Sequence, residues 1–133
     1  MITKQQSDQL IAAANEVRQR AYSRYSNFPV GAAVFTADGR LFVGCNVENA
    51  SYGLTICAER VAIANAVAAG SRQFAAIAVA TSNGSSPCGA CRQFLAEFCD
   101  DLQILLIAAD HENQVEVVQL SDLLPRKFGG TDL

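Results

Sequence analysis

Two short cysteine-bearing segments constrain this chain more than any other feature: Cys57-Ala58-Glu59-Arg60 and Pro87-Cys88-Gly89-Ala90-Cys91-Arg92-Gln93, with 30 residues between Cys57 and Cys88. A fold that uses both must bring them together across that gap. The chain has five cysteines (Cys45, Cys57, Cys88, Cys91, Cys99). Their odd number and the Cys-x-x-Cys spacing favour metal binding or catalysis over disulfides in a reducing compartment. The only histidine, His111, lies in the polar turn-like run Asp110-His111-Glu112-Asn113, so a metal site here must be nearly all thiolate.

Each cysteine segment falls at the expected start of a helix. Residues from about Ser7 to Tyr25 space Leu10, Ala14, Val17 and Ala21 three and four apart, which predicts a first amphipathic helix. Val30 to Thr36 and Leu41 to Val47 read as strands paired through the turn dipeptide Asp38-Gly39. Cys57 to Ala69 has no Pro or Gly and stops at Gly70, which predicts a second helix with a left-handed end. Phe74 to Thr81 is a near-continuous apolar run of strand length, as expected for a buried central strand. Ser86 as cap and Pro87 at the first helical position then open a third helix running to about Cys99. Gln103 to Ala109 and Val115 to Val118 are further strands, and Ser121 to Leu124 a brief helical turn before Pro125. This order of elements predicts an α/β chain with a mixed β-sheet and helices packed on it.

The chemistry follows from the spacing. Residues three apart share a helix face, so Cys88 and Cys91 can point at one ion. Cys57 and Glu59, two apart, converge only if Cys57 sits in the opening turn and the Glu59 side chain curls back. Helix N-termini favour thiolates through their unpaired N–H groups. Three thiolates satisfy the ligand number of a catalytic zinc and leave the fourth tetrahedral position for water. Cys45 and Cys99 have no second cysteine at ligand spacing and read as buried apolar-like residues. Three thiolates make a net negative centre, which Arg60 can offset by donating to a ligand sulfur; Arg92 and Gln93 are further candidates for that surrounding role.

Taken together, Cys57-Ala58-Glu59-Arg60 and Pro87-Cys88-Gly89-Ala90-Cys91-Arg92-Gln93 resemble the small, homotetrameric zinc-dependent cytidine deaminase family. Tyr25-Ser26-Asn27-Phe28-Pro29-Val30-Gly31-Ala32-Ala33 and Asn46-Val47-Glu48-Asn49-Ala50 look like further segments of it. The resemblance implies a single-domain, three-layer fold over residues 1–133, with helices on both faces of the sheet. It implies one zinc per subunit on Cys57, Cys88 and Cys91, with Glu59 as the catalytic proton shuttle. It further implies Phe28 against the pyrimidine ring, the Ala58 N–H on the base carbonyl, and Asn46 and Glu48 on sugar hydroxyls. Phe128 resembles a ring contributed to a neighbouring subunit's site, and Tyr52 lines the same region. The reaction so implied is hydrolytic deamination at C4 of free cytidine and deoxycytidine, a step of pyrimidine salvage.

Two other readings fit parts of the pattern: a related deaminase acting on another cytosine nucleoside or on RNA, and a non-catalytic zinc-stabilised module with four protein ligands. Bulk properties weigh against nucleic acid. The net charge is −3, and the ten basic residues are scattered from Lys4 to Lys127 without a run. Charged residues through Met1–Arg20 interrupt any signal-peptide core, and no apolar stretch is long enough to cross a bilayer. The expectation is a soluble cytoplasmic protein whose partner is a small pyrimidine nucleoside.

Overall fold

The computed structural model describes residues 2–133. Its order is α1 (Lys4–Arg18), β1 (Gly31–Thr36), β2 (Leu41–Cys45), a 3-10 turn (Tyr52–Leu54), α2 (Ala58–Ala68), β3 (Phe74–Thr81), α3 (Gly89–Phe98), β4 (Gln103–Ala108), β5 (Gln114–Gln119), α4 (Leu120–Leu123) and a second 3-10 turn (Gly130–Asp132). The strands form one sheet in the order β2-β1-β3-β4-β5. Only β3 and β4 run parallel, with α3 as the crossover between them; the other neighbours are antiparallel. The sheet is therefore mixed, with β3 at its centre.

Period-two alternation along the inner strands divides the apolar residues between two cores. Leu10 and Ala14 of α1 pack with Ala33, Phe35, Ala76 and Ala78 on one face. On the other, Ile63 of α2 and Leu95 of α3 pack with Val34, Ile77, Val79 and Ile104. Helices thus cover both faces in three layers, as the family resemblance implied.

Two glycines fix local geometry. Gly39 takes φ +87° in the β1–β2 turn, the left-handed conformation that the Asp38-Gly39 pair suggested. Gly44 on β2 lies under α2 so closely that a Cβ there would come within 2.4 Å of the Ala62 nitrogen. The absence of a side chain at Gly44 lets α2 lie directly on the sheet.

The boundaries of two helices differ from expectation. The first begins at Lys4, because Thr3 and Gln6 form a reciprocal capping box, and it ends at Arg18. Ala21 is consequently outside it, and the chain turns so that Tyr22 bridges Val47. The third helix is capped by Cys88, in extended conformation, and not by Ser86.

Candidate metal centre and substrate cleft

Cys57 and Cys88 occupy equivalent positions. Each is the extended N-cap residue of its helix, and neither side chain makes a capping hydrogen bond, so both sulfurs are available. Cys91 is the third residue of α3, and an N-cap side chain naturally reaches that position, as in a capping box. The result is a cluster in which the sulfurs of Cys57, Cys88 and Cys91 all lie within 4.8 Å of one another. A tetrahedral zinc with Zn–S of about 2.3 Å separates its sulfurs by roughly 3.8 Å, which this spacing accommodates. Two helix N-termini, those of α2 and α3, bring their partial positive charge to the same point.

The electrostatics of the donors also fit a cation. The neighbouring Cys91 thiol, supported by the Arg60 guanidinium, holds the Cys57 thiol down to about 5. The same pairing, together with burial, pushes Cys91 above the ordinary thiol value. Three thiolates this close repel one another, and a cation bound among them relieves that repulsion. Arg60 Nη2 lies 3.5 Å from the Cys57 sulfur and 3.4 Å from the Thr55 carbonyl oxygen. Its Nε is buried without a partner among the described residues, a spare donor next to a site that carries negative charge.

Glu59, the second residue of α2, is only 5% exposed. Burial raises its carboxyl pKa, and the negative Cys57 sulfur adds to the effect. Glu59 lines a cleft of about 280 Å³ together with Phe28, Asn46, Glu48, Ala58 and Cys88. Ala58 is the first residue of α2, where a backbone N–H has no partner within the helix. The cleft opens where β1 begins, β2 ends and β3 finishes at Thr81, the end of the sheet next to both helix starts.

Asn46 and Glu48 each have structural partners as well. Asn46 accepts from the Val30 N–H at 2.9 Å and donates to the Phe28 carbonyl at 3.0 Å, leaving one amide N–H and one lone pair for a ligand. Glu48 accepts from the Tyr25 and Ser26 N–H groups and from the Ser26 hydroxyl, which hold its pKa below the usual carboxylate value. Arg92 and Gln93 do not bond the sulfurs. Arg92 reaches the Pro87 carbonyl at 2.8 Å, the Leu123 carbonyl at 3.0 Å and the Ser86 hydroxyl at 2.9 Å, clasping the loop that delivers Cys88. Gln93 donates to the Phe128 carbonyl at 2.7 Å and anchors the C-terminal tail. Tyr52 and Phe128 are 75% and 59% exposed; Tyr52 packs edge-on against Tyr25.

Two contributors escaped the sequence reading. Thr81 Oγ1 accepts from the Gly84 and Ser85 N–H groups and so braces the loop before Cys88. Ser26 bonds Glu48 and the Phe28 N–H; its position in Tyr25-Ser26-Asn27-Phe28-Pro29, a composition typical of turns, was the available signal.

Comparison with known proteins points the same way as the geometry. Residues 4–106 match the family model described as the cytidine and deoxycytidylate deaminase zinc-binding region. The chain is 44% identical over 128 residues to a protein of Sporosarcina psychrophila named cytidine deaminase, covering 95% of this chain and 93% of that one. It superposes on the crystal structure of cytidine deaminase from Burkholderia pseudomallei with a TM-score of 0.87 and 48% identity, covering 96% of this chain and 100% of that one. For the cytidine deaminase of Mycobacterium leprae the TM-score is 0.79 and the identity 42%, with 90% and 98% covered.

Proposed function

This chain belongs to the family of zinc-binding cytidine and deoxycytidylate deaminases, and from that membership we propose that it hydrolyses the exocyclic amine of free cytidine and deoxycytidine to give uridine or deoxyuridine and ammonia. The observation that carries this reading is the buried Glu59 carboxyl sharing one cleft with a cluster of three sulfurs at two helix N-termini. Cys57, Cys88 and Cys91 are the ligands. Zinc held by them supplies the Lewis acidity that makes water a nucleophile near neutral pH.

Glu59 moves the protons. It takes one from the attacking water as the C4–O bond forms and delivers it to N3 of the ring. It then takes the remaining proton from the new C4 hydroxyl and passes it to the amine, so that the C4–N bond breaks and ammonia leaves. Burial suits Glu59 to this task, because a carboxyl with raised proton affinity both accepts and donates near neutral pH. Phe28 offers an aromatic face to the pyrimidine, the Ala58 N–H meets the base carbonyl, and Asn46 and Glu48 bind the sugar hydroxyls.

The exposed Tyr52 and Phe128 rings support assembly as a homotetramer in which Phe128 reaches a neighbouring subunit's cleft and Tyr52 lines it. No helix among the described residues is long and apolar enough to cross a membrane. A cytoplasmic role in pyrimidine salvage accords with a free nucleoside as substrate.

The direct test follows cytidine loss by absorbance, with and without a zinc chelator, and repeats it for Glu59→Gln. The substituted protein should keep its zinc and lose about 10²–10⁴ in rate, the usual contribution of a positioned acid and base. Turnover near the native rate in Glu59→Gln, or activity indifferent to prolonged chelation, would refute the assignment.

A further inference from the structure

Glu48 faces the cleft with most of its carboxylate already occupied. Oε1 accepts from the Tyr25 N–H at 2.9 Å and the Ser26 N–H at 3.0 Å, and Oε2 accepts from the Ser26 hydroxyl. A carboxylate offers about four lone-pair sites, so one remains open, on Oε2. The Ser26 hydroxyl has a single proton, and by giving it to Glu48 the oxygen is left to accept from the Phe28 N–H at 3.1 Å. A continuous hydrogen-bonded line therefore runs from the Phe28 backbone through Ser26 to Glu48. Between Ser26 and Phe28, Asn27 holds φ +57°. Asn adopts that left-handed conformation more readily than other residues with a side chain, and here it turns the chain between the two.

We propose that Ser26 is a specificity-determining positioning residue, whose hydroxyl fixes the Glu48 carboxylate so that its one open lone pair meets a single sugar hydroxyl, the 3′-OH of the nucleoside. This rests on the nucleoside reading above and deepens it. A fixed carboxylate presents its one free lone pair in a set direction, so a substrate that brings the hydroxyl gains a charge-assisted hydrogen bond that a substrate without it forgoes. Without the serine hydroxyl, two lone pairs of Oε2 are open, and only the two backbone N–H bonds on Oε1 still hold the carboxylate, which can swing about them. Discrimination between a sugar with the 3′-OH and one without it then weakens.

The experiment compares kcat/KM for cytidine and 3′-deoxycytidine in the full-length zinc-loaded protein, in Ser26→Ala and in Ser26→Thr. Because the two substrates are measured on the same preparation, their ratio is independent of how much of a variant is folded. The native protein should prefer cytidine strongly, and Ser26→Ala should reduce that preference roughly tenfold, mainly through the KM of cytidine. Ser26→Thr keeps the hydroxyl and should hold the preference within about twofold of native. Combining Ser26→Ala with Glu48→Gln should reduce the preference no further than Glu48→Gln alone, since both act through one carboxylate. If Ser26→Ala weakens both substrates equally and leaves the ratio intact, the hydroxyl merely props the loop and the proposal is overturned. A native protein that deaminates neither nucleoside fails earlier, before any substitution, and overturns the nucleoside reading and this one with it.

Discussion

Replacing Gly44 with alanine should damage the active site from the far side of a helix. The added Cβ would come within 2.4 Å of the Ala62 nitrogen, 2.7 Å of the Ala58 oxygen and 2.9 Å of the Val61 carbonyl carbon, all of them backbone atoms of α2. No side chain can rotate away to relieve these contacts. Ordinary contact begins near 3.4 Å, so α2 must retreat from β2 by about 1 Å, overpacking that costs about 1–3 kcal/mol. For a chain of this size that lowers Tm by roughly 4–12 °C. The helix that retreats carries Cys57 at its cap and Glu59 in its first turn, whereas Cys88 and Cys91 belong to α3. A 1 Å misplacement between such groups costs on the order of 10²-fold in rate. Thermal unfolding and cytidine turnover per folded molecule, measured on the same preparation, read both effects. A Gly44→Ala protein with native Tm and native kcat would show that α2 is not held in contact with the sheet in this way.

Arg92→Gln removes a clasp of three hydrogen bonds around the Ser86–Pro87 loop and the end of α4. Zinc transfer to a competing chelator should quicken about tenfold or more, as expected when groups that orient a ligand are lost, and an unchanged off-rate argues against the clasp. Asp101 accepts from the Ser121 and Leu102 N–H groups and the Ser121 hydroxyl, and these bonds, the Ser121 N–H foremost, lower its pKa. A carboxyl with depressed folded pKa stabilises above its ordinary value of 3.8 and loses that contribution as pH falls through the folded value. The Tm advantage of the native protein over Asp101→Asn should therefore be full at neutral pH and shrink below pH 3.8; a gap that stays constant into strong acid contradicts it.

Much of this molecule is legible in its residues because the signals are local. The apolar run Phe74–Thr81 is β3, Asp38-Gly39 turns the hairpin, and Gly70 ends α2 with φ +94°. The helix starts were less legible where chemistry competes with propensity. Ser86 is the better capping residue by type, yet the chain caps α3 with Cys88, whose sulfur makes no capping bond and stays free to bind an ion. Cys57 does the same for α2, which is how it and Glu59 serve one site despite their two-residue offset. The apolar stripe through Ala21 suggested a longer α1, but the Tyr22–Val47 bridge draws that segment towards the cleft. The backbone duties of Asn46, Glu48 and Arg92 depend on contacts across 16 to 31 residues. Spacing alone carries no trace of such contacts.

X-ray absorption at the zinc edge of the purified chain tests the arrangement of ligands most directly. One zinc per chain bound by three sulfurs at about 2.3 Å and one lighter atom at about 2.0 Å is the expected spectrum. A shell of four sulfurs, or a chain that retains no zinc when prepared with it, would contradict an open metal corner facing Glu59.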